Sequence, residues 1–226
     1  LGYRIEEVIG RGGMGVVYKA EDTLLQRPVA LKFLPVRLAS DPVAKQRFLN
    51  EARAASALNH PNICTIYAVE DAGDRPFIAM EFVDGQTLSE IISGAPLAIS
   101  NILAIAGQIA EGLNKAHSKN ITHRDLKPEN VMVTAEGLVK VMDFGLAHSM
   151  ENTGMTRSGV IMGTPDYMSP EQAMGLRADH RADIFALGVI LFEMLTGQVP
   201  FPSETMVGSL VARTREKAKP PVEVDP

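Results

Sequence analysis

Two carboxylates, an amide and a lysine form the densest group of residues in the sequence that could carry out chemistry. Asp125 is followed by Lys127 and Asn130, and Asp143 comes after two short apolar runs within 131–142. Because a turn-like, glycine-containing link joins these runs, they predict a β-hairpin that returns Asp143 to the side of Asn130. A carboxylate and an amide in proximity offer the oxygen ligands that Mg²⁺ prefers. A second carboxylate, Asp125, is then available to orient a hydroxyl nucleophile.

The segment from His123 to Asn130 reads H-R-D-L-K-P-E-N, and D-F-G follows at 143–145. Together they resemble the catalytic loop and the metal-binding loop of the protein kinases. An eight-residue match followed by a second motif at suitable spacing is hard to explain as an ordinary polar loop beside a hairpin. The resemblance implies a two-lobed protein kinase fold of α+β class, with ATP bound between the lobes.

The resemblance also gives each polar side chain of this group a role in phosphoryl transfer. Asp125 orients the attacking hydroxyl, and Lys127 neutralises charge on the transferred phosphoryl group. Asn130 and Asp143 hold Mg²⁺, for which Mn²⁺ is an alternative ion. His123 is expected to pack and hydrogen-bond within the loop, with no catalytic role.

Length, charge and cysteine content limit the classes of protein. The 226 residues suffice for one large domain or two small ones, and a hydrophobic content of 46% can support a core. A formal net charge of −5 gives no indication of a nucleic-acid partner. Cys64 is the only cysteine, which excludes an internal disulfide and fits a reducing, cytoplasmic compartment. The longest apolar run, 184–192, is too short to span a bilayer, so any membrane tether is expected outside this sequence.

Residues 3–20 predict a strand, a glycine turn and a second strand. The turn contains Gly10, Gly12 and Gly15 in the pattern G-x-G-x-x-G, which dinucleotide-binding folds also use. A dinucleotide-binding fold needs a helix directly after the glycines, but the β-branched and aromatic residues at 16–20 favour a strand. A glycine hairpin can place its bare backbone N–H groups on phosphates.

Lys32 and Glu51 are a candidate ion pair. Lys32 interrupts the apolar strand 28–33, where an unpaired ammonium is costly to bury. Residues 41–58 predict a helix on which Glu51 lies in the same stripe as three apolar residues, Phe48, Ala55 and Leu58. The resemblance implies that Lys32 holds the α- and β-phosphates and that Glu51 positions it. A solvated lysine and a partly exposed helix acid are the simpler alternatives.

Two further strands, 63–69 and 76–81, lead into the turn M-E-F-V-D-G at 80–85. By resemblance, 81–85 is the hinge between a β-rich N-terminal lobe, 1–80, and a helical C-terminal lobe, 86–226. Met80 then lies behind the adenine, and the Glu81 carbonyl and the Val83 backbone hydrogen-bond with it. The remaining ATP contacts implied by the resemblance are Ile9, Val17, Ala30 and Met132, in addition to the glycines and Lys32.

Apolar spacing predicts helices over 86–93, 98–119, 183–195 and 204–213. Asp183 opens the third of these, and the resemblance implies that it braces the backbone of the catalytic loop. His117 is expected to be a structural histidine at a helix end. Protein kinase domains of this type continue through two or three more helices, so we expect a C-terminally truncated domain.

Residues 146–171 predict an irregular, regulatory loop that is rich in Gly, Ser and Thr. By resemblance, Thr156 and Ser158 are candidate phosphorylation sites, and Thr153 is a weaker one. A phosphate near Arg124 would gain charge-assisted hydrogen bonds and order the loop. An unmodified polar loop is the simpler alternative.

Residues 163–171, G-T-P-D-Y-M-S-P-E, resemble the kinase segment that ends in A-P-E, with Ser169 in place of Ala. The resemblance implies that Thr164 hydrogen-bonds towards Asp125 and Lys127 and helps to seat the substrate hydroxyl.

The function implied by these motifs is ATP-dependent phosphorylation of Ser and Thr hydroxyls on proteins, including autophosphorylation of the activation loop. Lys127 within D-L-K-P-E-N is typical of the serine/threonine class. The segments 51–55 and 183–188 resemble the bacterial eukaryotic-like (Hanks-type) branch. The expected partners are protein substrates and a transient homodimer that phosphorylates itself in trans.

Two other classes of function remain open at this point. A pseudokinase would keep the fold without the chemistry. Four intact residues argue against it: Lys32, Asp125, Asn130 and Asp143. A nicotinamide-dependent oxidoreductase rests on the glycine motif alone and requires a helix after Gly15.

Overall fold

The computed structural model describes residues 2–12, 15–71, 75–94, 97–144, 165–203 and 205–224. Its first part is an antiparallel sheet of five strands in the order β1-β2-β3-β5-β4. The strands are β1 (Tyr3–Gly12), β2 (Gly15–Asp22), β3 (Arg27–Phe33), β4 (Ile66–Glu70) and β5 (Phe77–Glu81). The two strands predicted on either side of the glycine turn are therefore confirmed.

Gly15 is the position in this sheet where only glycine fits. Its φ is +114°, and a Cβ there would lie 2.0 Å from the carbonyl oxygen of Phe33 on β3. Any other residue would displace the first strands from their register, in which Gly12 faces Gly15 and Val16 faces Phe33. This glycine is thus required by the strand geometry itself.

The helix predicted over 41–58 is confirmed as α2 (Pro42–Ser56), which follows a short α1 (Val36–Ala39). It begins at Asp41, whose carboxylate accepts the backbone N–H groups of Val43 and Ala44 at 2.9 and 3.4 Å. The buried residues of α2 pack on one face of the sheet, in a cluster that contains Phe48, Leu49, Ala30 and Met80.

The second part of the chain carries a three-stranded sheet, β6-β7-β8, and most of the helices. The strands are β6 (Gly85–Thr87), β7 (Val131–Thr134) and β8 (Val139–Val141). The helices are α3 (Leu88–Gly94), α4 (Ile99–His117), α5 (Pro170–Ala173), α6 (Arg181–Thr196), α7 (Met206–Arg215) and α8 (Pro221–Val224). Single 3₁₀ turns lie at Pro128–Asn130 and Pro165–Tyr167.

Two predicted boundaries were wrong because backbone pairing to distant strands overrides local preference. The helix expected from residue 86 begins at Leu88, since Gly85–Thr87 pairs with β7. The strand expected from residue 63 begins at Ile66, because the chain before it bonds to β8. There the Cys64 N–H donates to Val141 O, and the Val141 N–H donates to Asn62 O, each at 2.9 Å.

The main core lies between α4 and α6. The predicted stripe of α4 is buried as expected, with Ile102, Ile105, Ile109 and Leu113 in one cluster with Val189 and Ile190 of α6. Together with the sheets, these helices confirm the α+β class. No helix within the described ranges has both the length and the apolar character that crossing a membrane requires.

Candidate active site

Asp125, Lys127 and Asn130 form a hydrogen-bonded group at the end of the loop that precedes β7. Lys127 Nζ lies 3.0 Å from Asp125 Oδ2. The Asn130 amide donates to the Asp125 carbonyl oxygen at 2.8 Å and to Asp125 Oδ2 at 3.2 Å. The side chain of Asp125 keeps 23% of its surface exposed, so a substrate hydroxyl can reach a carboxylate whose orientation is already fixed.

The buried carboxylate of Asp183 holds the backbone of the catalytic loop, as the resemblance implied. Asp183, at the start of α6, accepts the backbone N–H groups of His123 and Arg124, each at 2.8 Å. His117, at the end of α4, lies 2.7 Å from Asp183 through its Nε2. Asp183 is 1% exposed, and these three neighbours satisfy a carboxylate that would otherwise be costly to bury.

The loop is also tied to the segment after β8. The ring of His123 is fully buried, its Nε2 lies 2.7 Å from Met142 O, and it contacts the Phe144 ring at a centroid distance of 4.8 Å. The Met142 N–H donates to Asn130 O at 2.8 Å. The predicted hairpin therefore returns the chain to Asn130 immediately before Asp143.

Arg124 and Asp143 both have left-handed backbone conformations, with φ of +68° and +58°. Such a conformation is unfavourable for residues other than glycine and persists where the surroundings impose it. Asp143 lies between Met142 and Phe144, which both contact His123. Arg124 is held through its backbone N–H, which donates to Asp183, and through its carbonyl oxygen. The carbonyl accepts a hydrogen bond from Gln172 Nε2 at 2.8 Å.

Asp143 meets Lys32 across the two parts of the fold. Lys32 Nζ lies 2.7 Å from Asp143 Oδ2, and the side chains are 5% and 17% exposed. The other oxygen, Asp143 Oδ1, is buried and has no hydrogen-bond partner among the residues that the structure describes. An orphaned carboxylate oxygen fits a cation, since a buried strong acceptor without a donor calls for another electropositive partner.

The donor set also fits the chemistry of Mg²⁺. Asp143 and Asn130 supply one carboxylate and one amide, and Mg²⁺ in nucleotide sites takes its remaining oxygens from phosphates and water. Within the described ranges there is no group of three or more His, Cys, Asp or Glu side chains that could hold a metal. The site therefore fits a metal that arrives with a phosphate ligand better than a permanently bound ion.

Glu51 lies half-buried on the face of α2 that points to the sheet. Among the contacts of the described residues, Lys32 is paired with Asp143 and not with Glu51. The predicted Lys32–Glu51 pair stays a prediction.

Some of the residues expected around the adenine lie together. Val17, Ala30 and Met80 belong to a single apolar cluster, and Ala30 faces Met80 in the register of β3 and β5. Met132 lies on β7 opposite Lys140, Ile9 is 45% exposed on β1, and Val83 is half-buried between β5 and β6. Gly10 faces Val17, at the end of the same strand pair.

The carboxylate of Glu81 has contacts that sequence reasoning missed. Lys140 Nζ, on β8, lies 2.8 Å from Glu81 Oε1 and 2.9 Å from Oε2, and the Thr65 N–H donates to Oε2 at 3.1 Å. These contacts tie the end of β5 to β8. The only sequence signal was Lys140 within an otherwise apolar strand, which is the same signal that marked Lys32.

Four predicted residues lie outside the residues that the structure describes: Thr153, Thr156, Ser158 and Thr164. Their expected roles as phosphorylation sites and as a substrate-seating hydroxyl stay predictions.

The oxidoreductase alternative required a helix directly after the glycine turn. The structure has β2 there, from Gly15 to Asp22. A dinucleotide-binding βαβ unit is therefore excluded at this motif.

Comparison with known proteins agrees with this geometry. The sequence model of the protein kinase domain matches residues 3–222. The serine/threonine-protein kinase pkn3 of Myxococcus xanthus is 44% identical over 99% of this chain and 43% of its own length. PrkC of Bacillus subtilis is 45% identical over 91% of the chain and 32% of its own length, and PknB of Mycobacterium leprae is 41% identical over 97% and 36%. The chain thus spans between 32% and 43% of the length of these relatives.

Proposed function

Because the chain belongs to the protein kinase domain family, we propose that it transfers the γ-phosphoryl group of ATP to serine and threonine hydroxyls of proteins. The observation that carries this proposal is the ion pair of Lys32 and Asp143 next to the hydrogen-bonded Asp125 and Asn130. These are the four residues that the proposed chemistry needs. All relatives named above are serine/threonine-protein kinases. Each is a longer protein, so the activity of the whole protein is part of this proposal.

Positioning and electrostatics supply most of the catalysis in phosphoryl transfer. Asp125 accepts the hydrogen bond of the substrate hydroxyl, since its carboxylate is exposed on one side and held on the other by Lys127 and Asn130. Lys127 lies 3.0 Å from Asp125 Oδ2, where its ammonium can neutralise charge that develops on the transferred group. Thr164 is proposed to hydrogen-bond towards Asp125 and Lys127 and to help seat the hydroxyl.

Asp143 Oδ1 and the Asn130 side chain would hold the divalent ion, with Mg²⁺ proposed and Mn²⁺ as the alternative. When bound, the ion neutralises the β- and γ-phosphate oxygens. Lys32 would hold the α- and β-phosphates, and Glu51 would position Lys32 by pairing with it.

The nucleotide base is proposed to lie between the Val17–Ala30–Met80 cluster and Met132, with residues 81–85 as the hinge between the lobes 1–80 and 86–226. The Glu81 carbonyl and the Val83 backbone would hydrogen-bond with the adenine. The glycine turn, with Gly10, Gly12 and Gly15, would cover the phosphates next to Ile9. The Glu81–Lys140 contact is consistent with this assignment, because it ties the end of β5 in the first lobe to β8 in the second.

Regulation is proposed to act through phosphorylation of Thr156 and Ser158 by a second copy of the chain in a transient homodimer. Arg124 supplies the cationic partner for such a phosphate. The domain is proposed to act in the cytosol, on protein substrates.

The test is incubation with Mg²⁺ and ATP in the presence of myelin basic protein, followed by mapping of phosphorylated residues. Asp125→Asn is the control, because it keeps the shape of the side chain and removes the acceptor charge. We expect phosphate on serine or threonine of the added protein and on Thr156 or Ser158, with a loss of about 10²–10⁴-fold in rate for the control.

Nucleotide binding without any phosphoryl transfer would favour the pseudokinase alternative. The same assay on a longer form of the protein then decides between an inactive fold and a chain that lacks supporting segments. Equal incorporation by the wild type and by Asp125→Asn would contradict the role of Asp125.

A further inference from the structure

A buried arginine outside the catalytic loop joins α7 to the segment that precedes α5. Arg213 is 4% exposed. Its Nη1 donates to the main-chain oxygens of Pro165 and Met168, the second at 2.7 Å. Its Nε donates to Ser209 O at 3.1 Å, and its Nη2 donates to Ser209 Oγ at 2.7 Å.

Each of these four acceptors is an uncharged oxygen. Burial lowers the pKa of Arg213, and the charge of Asp166 raises it to a lesser extent. A charge placed in the interior on uncharged acceptors stabilises a fold poorly compared with an apolar side chain of similar volume. The planar guanidinium does, however, offer several donors in a rigid arrangement, which suits it to fixing the shape of a backbone.

The backbone that Arg213 holds lies next to the catalytic loop. Pro165 directly follows Thr164, the residue proposed to seat the substrate hydroxyl. The Met168 N–H donates to Pro165 O at 3.1 Å, so that both carbonyl contacts of Arg213 belong to one tight turn. Ser209 extends the same contact, since its Oγ donates to Asp166 Oδ1 at 3.2 Å.

The turn is connected to the catalytic loop on its other side. Ser169 follows it and begins α5 through a capping box with Gln172. Gln172 Nε2 donates to Arg124 O at 2.8 Å, one residue before Asp125. The segment 165–169 therefore lies between Arg213 and the catalytic loop, and Arg213 is its anchor on the side of α7.

We propose that Arg213 is a positioning residue for the protein substrate, which holds segment 165–169 in the shape that receives the substrate polypeptide beside Asp125. The proposal rests on the proposed kinase function. It assigns α7 a part in substrate recognition without any direct role in nucleotide binding or chemistry.

Three variants test the proposal. Arg213→Met keeps the length of the side chain and removes all donors, Arg213→Lys keeps the charge and loses the planar fork, and Arg215→Met changes an exposed arginine of the same helix. We expect Arg213→Met to raise the KM for myelin basic protein about tenfold, as for the loss of hydrogen bonds from a charged donor. The KM for ATP should stay unchanged. Arg213→Lys should lie between Arg213→Met and the wild type, and it serves as the deciding variant if Arg213→Met does not fold.

Hydrogen exchange gives a second readout that does not depend on activity. We expect faster exchange at Met168 in Arg213→Met, with unchanged exchange at His123 and Arg124, whose N–H groups are held by Asp183. The positioning role would be overturned if Arg213→Met and Arg215→Met had the same KM for myelin basic protein. Faster exchange of the catalytic loop in Arg213→Met, in addition to that at Met168, would overturn it as well. If neither this chain nor the longer form of the protein transfers phosphate, the kinase function is overturned and the inference with it. An active wild type with an unchanged Arg213→Met variant overturns the inference alone.

Discussion

The ammonium of Lys32 lies 2.7 Å from Asp143 Oδ2, although 111 residues separate the two in the chain. Lys32 belongs to β3 of the five-stranded sheet, and Asp143 follows β8 of the three-stranded sheet. This one contact therefore connects the two parts of the fold at the site where phosphates and metal are proposed to bind. While it persists, Asp143 has one oxygen engaged and one oxygen, Oδ1, without a protein partner among the described residues.

Removal of either partner of this pair should destabilise the fold more than removal of both. Lys32→Met leaves the Asp143 carboxylate without its cation in a largely buried place, which we expect to cost about 3 kcal/mol in the free energy of unfolding. Adding Asp143→Asn should recover part of that loss, with a coupling energy of about 1–3 kcal/mol. Urea unfolding of the wild type, the two single variants and the double variant measures this coupling.

The exposed pair Lys19–Glu6, at 3.9 Å, provides the matched control and should show almost no coupling. Strict additivity at Lys32 and Asp143 would mean that the pair does not contribute to stability.

The orphaned Oδ1 of Asp143 predicts that nucleotide binding depends on a divalent ion through this residue. With Mg²⁺ and a non-hydrolysable ATP analogue at about 100 times its Kd, the wild type should melt about 5–10 °C higher. Asp143→Asn should lose the Mg²⁺-dependent part of this shift, because an amide binds the ion less strongly than a carboxylate. Asp125→Asn should retain it, since Asp125 is assigned to the hydroxyl and not to the ion. A shift of equal size in Asp143→Asn would place the metal elsewhere.

Asp183 should be among the most sensitive positions for stability outside the apolar core. It is buried and accepts two backbone N–H groups, with His117 as a third neighbour. Asp183→Asn turns one acceptor into a donor that faces other donors, so we expect a loss of about 2–4 kcal/mol in the free energy of unfolding.

Asp179→Asn, at an exposed position two residues before α6, should cost much less than Asp183→Asn in the same urea experiment, because its ion pair with Arg181 is exposed to solvent. Equal unfolding curves for the two variants would show that the catalytic loop does not need its buried carboxylate.

The pH dependence of stability should report on Glu193 of α6. Burial raises the pKa of its carboxyl above the ordinary 4.5, against the opposing effect of the hydrogen bond from the Tyr167 hydroxyl at 2.7 Å. The folded chain therefore binds this proton more tightly than the unfolded chain does. The contribution to stability is complete below pH 4.5 and is lost as the pH rises through the raised pKa.

Glu193→Gln should remove this decline, and Tyr167→Phe should enlarge it, because the hydrogen bond from Tyr167 lowers the Glu193 pKa. Urea unfolding at a series of pH values from 4 upwards measures both effects. A wild type and a Glu193→Gln variant with parallel profiles would contradict the assignment.

Much of the catalytic group could be predicted from the sequence, because its members lie close together in the chain or are joined by a hairpin. Asp125, Lys127 and Asn130 fall within six residues, and the 131–142 hairpin returns the chain beside them as expected. The spacing of apolar residues also predicted α2 and the buried stripe of α4, since apolar residues on one side of a helix are a local property of its sequence.

The tertiary structure decided which partner each buried charge takes. Lys32 and Lys140 each interrupt an apolar strand, and only the packing of the two sheets places Lys32 on Asp143 and Lys140 on Glu81. Strand β6 lies where the start of a helix was expected, and β4 begins three residues later than expected. Both differences depend on hydrogen bonds to chain segments far away in sequence. Arg213 gave no signal at all, because its burial arises only where α7 meets the turn at 165–168. Residue spacing thus determined the chemistry that the chain can offer, whereas long-range packing decided how each charge is paired, since a desolvated charge takes the partner that the assembled fold brings within reach.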